Sequence, residues 1–178
     1  TLTSIGVLNA VADAVDQAGG DSSKLRKAAG SERSTETIEK SADVVVVGGG
    51  GAGMAATIRL QESGKNVILV EKTYRLGGSL SISGGNQVVT GSTLQAEAGV
   101  TDDSTESMVA DFQKNGEDMC VPELINLYAA NVGATTDWLN SYVGVAYNME
   151  GGLHDLAEYS IDRELAYDGG GAAATESV

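Results

Sequence analysis

The apolar positions change their period along the chain, and each change marks an element. Ile5, Leu8, Val11, Ala12 and Val15 recur at helical spacing, with Ser4 placed to cap a first helix and Gly19-Gly20 placed to end it. Residues 21–40 are polar, and Ser31-Glu32-Arg33-Ser34-Thr35-Glu36 has no period, which predicts a short helix and then a linker at a domain boundary. At Val44 the pattern becomes continuous. Val44 to Val47 predict a parallel strand buried on both faces. A helical stretch follows, carrying Met54, Ala55, Ile58 and Leu60, and Gly64 suits the residue just past its end. Asn66-Val67-Ile68-Leu69-Val70 predicts a second strand, and residues 75–91 form a Gly/Ser-rich loop. Asp102-Asp103-Ser104 predicts a helix start, its acids near the positive end of the dipole. Pro122 suits the first turn of a long helix. Its apolar stripe, Leu124, Ile125, Leu127, Tyr128, Val132, Trp138, Leu139 and Tyr142, is expected to be core, Trp138 included. From Val143 to Tyr167 the mixed pattern predicts short strands or turns, and Gly169-Gly170-Gly171 precedes an Ala-rich end.

The junction after Val47 carries the chemistry. Gly48, Gly50 and Gly53 match G-x-G-x-x-G, between a predicted strand and a predicted helix, and Glu71 stands about 20 residues further on, at the end of the second strand. Each glycine has a physical job. Gly48 permits a tight turn, Gly50 lacks the Cβ that would keep a pyrophosphate away, and Gly53 lets helix and strand pack closely. The helix start, with Gly51 and Ala52, offers unpaired amides and partial positive charge to phosphates. Glu71 is placed to accept hydrogen bonds from an adenosine ribose, which favours FAD or NAD over NADP. The blander alternative is a glycine turn in an ordinary βαβ unit with Glu71 solvated. A doubly wound sheet needs more strands than the two predicted here. The chain is therefore expected to be the first part of a larger folded unit.

Composition narrows the partners. With 25 acidic and 11 basic residues the formal charge is −14, which opposes binding to nucleic acid or anionic lipid. Aromatics are 4% of the chain, too few for a base-stacking platform. A single cysteine, Cys120, and a single histidine, His154, leave no internal disulfide and no zinc pattern. Cys120 reads as a small apolar residue before a helix. No apolar run approaches the roughly 20 residues of a membrane span.

From Asp43 onward the chain resembles the FAD-binding flavoproteins of the soluble fumarate reductase and urocanate reductase family. The matching residues are Val44 to Gly53, Val70-Glu71-Lys72, Leu76-Gly77-Gly78-Ser79 and Ser83-Gly84-Gly85, with Trp138-Leu139, Arg163 and Gly169-Gly170-Gly171 in similar places. The resemblance implies an α/β fold, a Rossmann-like FAD-binding βαβ unit of the glutathione-reductase-like type, incomplete in this chain and preceded by a helical segment. It implies cofactor-binding roles for Gly48, Gly50, Gly51, Ala52, Gly53, Glu71, Lys72, Gly78, Ser79, Leu80, Ser83, Gly84 and Gly85, the last group lying along the ribityl chain and isoalloxazine. Ser79 departs from the Asn frequent there. Residues 1–30 resemble the end of an FMN-binding domain, with Thr1 at the position that carries covalent FMN. Residues 31–41 would then be a linker, and residues 42–178 the N-terminal part of an FAD-binding domain.

The activity so implied is reduction of an α,β-unsaturated carboxylate by hydride transfer from flavin N5, fed by an upstream electron donor. The alternatives are a flavin dehydrogenase of the succinate or 3-ketosteroid type and a non-catalytic electron-transfer module. The family's proton donor lies in later segments, supplied by the remainder of the polypeptide or a second chain, so residues 1–178 alone are expected to be inactive. His154 reads as a surface or packing residue, and Arg163 as an ion-pair partner or a group facing the flavin. Localisation by resemblance is periplasmic or cell-surface, with the cytoplasm also open.

Overall fold

A computed structural model describes residues 2–26, 36–150 and 152–177. Thr1 and Ser31 to Thr35 therefore lie outside the described residues. The chain divides into two units, residues 1–40 and 41–178. The first contains helix α1 (Leu2–Gln17) and a 3-10 turn (Ser22–Arg26). The helix begins before Ser4 and ends where Gly19 turns at φ +80° and the Gly20 amide donates to the Val15 carbonyl. Asp16 then accepts from the Ser22 amide and hydroxyl, both at 2.9 Å. Of its apolar stripe Ala12 is buried, while Ile5, Leu8 and Val11 are exposed.

The second unit opens with strand β1 (Val44–Val47), helix α2 (Gly51–Glu62) and strand β2 (Val67–Val70). The strands pair in parallel, Val44 opposite Val67 through Val47 opposite Val70. Asp43 sets this register, its carboxylate accepting from the Asn66 amide at 2.8 Å. Gly64, at φ +78°, ends α2 and donates to the Gln61 carbonyl. The expectation that β1 is buried on both faces fails. Val45 is 55% and Val47 82% exposed. The pair has one covering layer among the described residues, α2, so only alternate valines face inward.

The Gly/Ser segment is not structureless. It holds a 3-10 turn (Leu80–Ile82) and strand β3 (Asn86–Val88). Helices α3 (Thr93–Glu97), α4 (Thr105–Asn115) and α5 (Pro122–Trp138) follow, and α5 continues into a π-helical turn (Leu139–Val143). Strand β4 (Tyr147–Asn148), strand β5 (Glu164–Tyr167) and helix α6 (Gly170–Glu176) complete the order. The second sheet is antiparallel, ordered β3-β5-β4. Ser104 caps α4 by accepting from the Ser107 amide, and Pro122 opens α5.

The core gathers Val89, Leu94, Met108, Val132, Val145 and Leu165 between this sheet and the helices. The α5 stripe is only partly core. Ala129, Val132, Gly133 and Thr136 face inward, whereas Leu124, Leu127 and Tyr142 are exposed and Trp138 is half-buried. The reason is close approach: a Cβ on Gly133 would come within 2.5 Å of the Thr90 carbonyl oxygen. Small residues thus make the contact face, and the large side chains are turned outward.

Candidate functional site

The loop between β1 and α2 is shaped by what its residues lack. Gly48 turns at φ +102°, and its amide donates to the Val70 carbonyl at 2.7 Å, tying the turn to β2. A Cβ on Gly53 would overlap the Gly48 carbonyl oxygen, so only glycine lets α2 start against the strand end. Gly50 is the N-cap of α2, in extended conformation at φ −75°, with no side chain capping the helix. A Cβ there would meet nothing within 4 Å. Ala52 is exposed beside it. The positive end of a 12-residue helix therefore carries no side-chain cap, and the Cβ direction of Gly50 is open.

Gly49 is held from both sides. Its amide donates to Glu71 Oε2 at 2.7 Å, and its carbonyl accepts from the Gly77 amide at 2.7 Å. Glu71 Oε1 accepts from the Thr73 amide at 2.8 Å. The Gly49 amide first, and then the Thr73 amide, hold the Glu71 carboxyl down to about 2. Glu71 is thus ionised and anchored at the C-terminal end of β2, where the Thr73 hydroxyl and the Lys72 amide also help to lower its carboxyl. Lys72 is exposed.

The glycines after Leu76 stitch the next segment onto this loop. Gly77 and Gly78 turn at φ +105° and +52°, and a Cβ on Gly78 would lie 3.3 Å from the Gly50 Cα. Ser79 leads the 3-10 turn, and Leu80 approaches Gly51, its Cδ2 lying 3.6 Å from where a Cβ would stand. Ser83 closes the turn by donating to the Leu80 carbonyl. Gly84 is exposed, and Gly85 is buried at φ +83°, where a Cβ would come within 2.6 Å of the Gly170 carbonyl carbon. The Tyr167 amide donates to the Gly85 carbonyl at 2.7 Å. The structure therefore brings Gly48 to Gly53, Glu71, Gly78, Ser79 and Leu80 together. Ser83, Gly84 and Gly85 continue the same rim, braced by the start of α6. Thr1 lies outside the described residues.

Behind the rim stand two polar networks that spacing alone does not show. Arg163, fully buried, donates Nε and Nη2 to Asp103 at 2.8 and 2.6 Å, Nη1 to Asp111, and Nη2 also to Ser107. Burial works to raise the Asp103 carboxyl, but the bonds from Arg163 and Gln95 outweigh it and hold it low. Asp111 is likewise held low, against burial, by the Ser160 amide and Arg163. Arg163 is consumed by ion pairs and is not a free group at the loop. In the second network Gln87 Oε1 accepts from the Tyr147 and Tyr167 hydroxyls at 3.0 and 3.1 Å, and its amide donates to Thr136. Burial raises both phenols.

Three further features stand apart. His154 meets Glu164 at 3.1 Å on an exposed hairpin. Cys120 donates weakly to the Phe112 carbonyl. A hollow of about 280 Å³ lies between α2, α5 and β5, its lining apolar except for Thr135 and Tyr167. Among the described residues no group of three or more His, Cys, Asp or Glu is placed to hold a metal ion. No described helix is long and apolar enough to cross a membrane.

The family described as FAD binding domain matches residues 43–170. A urocanate reductase of Eggerthella lenta is 38% identical over 148 residues, covering 83% of this chain and 24% of that protein. A flavocytochrome c3 fumarate reductase in its open conformation superposes with a TM-score of 0.66 at 27% identity, over 88% of this chain and 26% of that one. A 3-ketosteroid-Δ4-(5α)-dehydrogenase from Rhodococcus jostii RHA1 gives a TM-score of 0.54 at 31% identity, over 65% of this chain and 24% of that one. The chain spans about a quarter of the length of these relatives.

Proposed function

The chain belongs to the FAD binding domain family, and on that footing we propose that residues 42–178 hold FAD within an oxidoreductase that reduces α,β-unsaturated carboxylates. One observation carries the cofactor reading: the bare, outward-facing Gly50 at the start of α2, with the ionised Glu71 beside it. Gly50, Gly51 and Ala52 would receive the pyrophosphate, and the Glu71 carboxylate the adenosine ribose. Lys72 would lie at the adenosine end. Gly78, Ser79, Leu80, Ser83, Gly84 and Gly85 would line the path toward the isoalloxazine, where small residues admit backbone amides to the ring. FAD, when bound, supplies the hydride from its N5.

The carboxylate substrate is supported by likeness to the urocanate and fumarate reductases. The steroid dehydrogenase likeness supports a second reading, oxidation of a CH–CH bond by the same flavin. Residues 1–30 are read as the end of an FMN-binding-like domain, with FMN on Thr1 passing electrons from an upstream donor. Residues 31–41 are the linker, and the setting is periplasmic or cell-surface. Anaerobic reoxidation of the reduced protein, with the remainder of its polypeptide present, separates the substrate readings. Urocanate, fumarate or acrylate should restore the oxidised flavin spectrum. Reduction of the oxidised flavin by a 3-ketosteroid, with no response to enoates, would favour the dehydrogenase. Intact mass tests the FMN adduct.

A further inference from the structure

We propose that Glu71 is a positioning residue for the phosphate loop. It holds the Gly49 peptide, and with it Gly50, in the conformation that receives a pyrophosphate, in addition to its ribose contact. The inference rests on the FAD reading of the loop.

The argument starts from flexibility. Gly48 to Gly51 are four consecutive glycines, a sequence with many accessible conformations and a large ordering cost. Gly49 is the variable position of G-x-G, so nothing in that motif fixes its peptide. In the structure it is fixed by distant groups. Its amide points at Glu71 Oε2, 22 residues on, and its carbonyl receives the Gly77 amide. The Leu76 side chain fills the place a Cβ of Gly49 would take. Glu71 is itself immobilised by the Thr73 amide, and Thr73 by its hydroxyl bond to the Arg75 carbonyl at 2.7 Å. The run from Glu71 to Gly77 is therefore one brace around Gly49. Its charged jaw is the carboxylate, and a charge-assisted bond to a backbone amide is among the stronger hydrogen bonds. A loop ordered before the ligand arrives spares the ordering cost at binding.

A ligand cycle separates this role from ribose binding. The probes are FAD and an FAD analogue lacking the adenosine-ribose 2′ and 3′ hydroxyls, titrated by flavin fluorescence against the wild type, Glu71→Ala and Glu71→Gln. If Glu71 positions the loop, Glu71→Ala weakens even the dideoxy analogue by about tenfold. Glu71→Gln, which keeps one acceptor oxygen, falls between. In parallel, the Gly49 amide proton should lie downfield in the wild-type NMR spectrum. In Glu71→Ala it should move upfield and exchange faster, while urea unfolding shows the variant folded. Equal affinity of wild type and Glu71→Ala for the analogue, or an unchanged Gly49 amide, would overturn the inference while leaving FAD binding intact. A wild type that binds neither ligand would overturn the cofactor reading beneath it.

Discussion

Gly53 and Arg163 are positions where one side chain decides the local structure. At Gly53 a methyl group would overlap the Gly48 carbonyl, so Gly53→Ala must push α2 away from the strand end. We expect Gly53→Ala to weaken FAD binding about tenfold or more, at a stability cost of about 1–3 kcal/mol in urea unfolding. At Arg163 the logic is charge. Arg163→Met leaves the Asp103 and Asp111 carboxylates buried without their cation, and we expect a loss of about 3–5 kcal/mol in the same assay. Arg163→Lys should recover only part of it, since an ammonium cannot reproduce the two-pronged bond to Asp103. The two positions also differ in how far the sequence reveals them. Gly53 and Glu71 stand at motif spacings and can be read directly. The partners of Arg163 lie 60 and 52 residues away, just before α4 and on it, and no local pattern links them. The bond from Gly49 to Glu71 escapes reading for a related reason: it pairs a backbone amide with a side chain, and motifs encode side chains.

Among the elements, those carried by continuous apolar runs were readable, and those carried by contacts were not. β1, α2 and β2 follow from Val44–Val47, the glycine turn and Val67–Val70. β3 spans only Asn86–Val88 inside a Gly/Ser stretch, and it exists because β5 pairs with it across the sheet. The sequence locates α5 but not the whole of its buried face. Of its apolar stripe Val132 is buried as expected, but Leu124 and Leu127 are exposed, and close packing on Thr90 and Gly91 adds Ala129 and Gly133 to the inward face. A paired substitution checks this. Val132→Ala should cost about 1–3 kcal/mol as a buried truncation, whereas Leu127→Ser, at a side chain 64% exposed, should stay within about 0.5 kcal/mol. Equilibrium urea unfolding of both variants gives the comparison. α6 belongs to the same lesson, since its Gly170-Gly171 start braces Ser83 and Gly85 from a part of the sequence that shows only low complexity.

At the scale of the whole molecule the parallel pair carries the glycine loop proposed to take the nucleotide, and the antiparallel sheet with its helices supplies the brace. The Arg163 network ties α4 to β5 in that brace, and it gives stability a pH dependence. The Asp103 and Asp111 carboxyls are lower in the folded state than in the unfolded chain, where carboxyls titrate near about 3.9. Their contribution is therefore fully present above that value and is lost as pH falls through the lower folded values. Thermal unfolding followed from pH 7 downward should show Tm dropping below about pH 4, and the drop should be smaller in Arg163→Met, which has already lost the pairs. The central claim, that bare backbone at the start of α2 receives the FAD pyrophosphate, is tested most directly at Gly50. A Cβ there meets no protein atom within 4 Å and the backbone φ is −75°, so Gly50→Val should leave the fold and its unfolding midpoint unchanged. It should nevertheless stand where the phosphates approach. Flavin content of the purified protein and fluorescence titration with FAD give the result. The structure predicts a wild type that binds FAD and a folded Gly50→Val weakened by about a hundredfold or more, a difference of about 2.7 kcal/mol. A folded Gly50→Val that binds FAD as the wild type does would contradict the assignment.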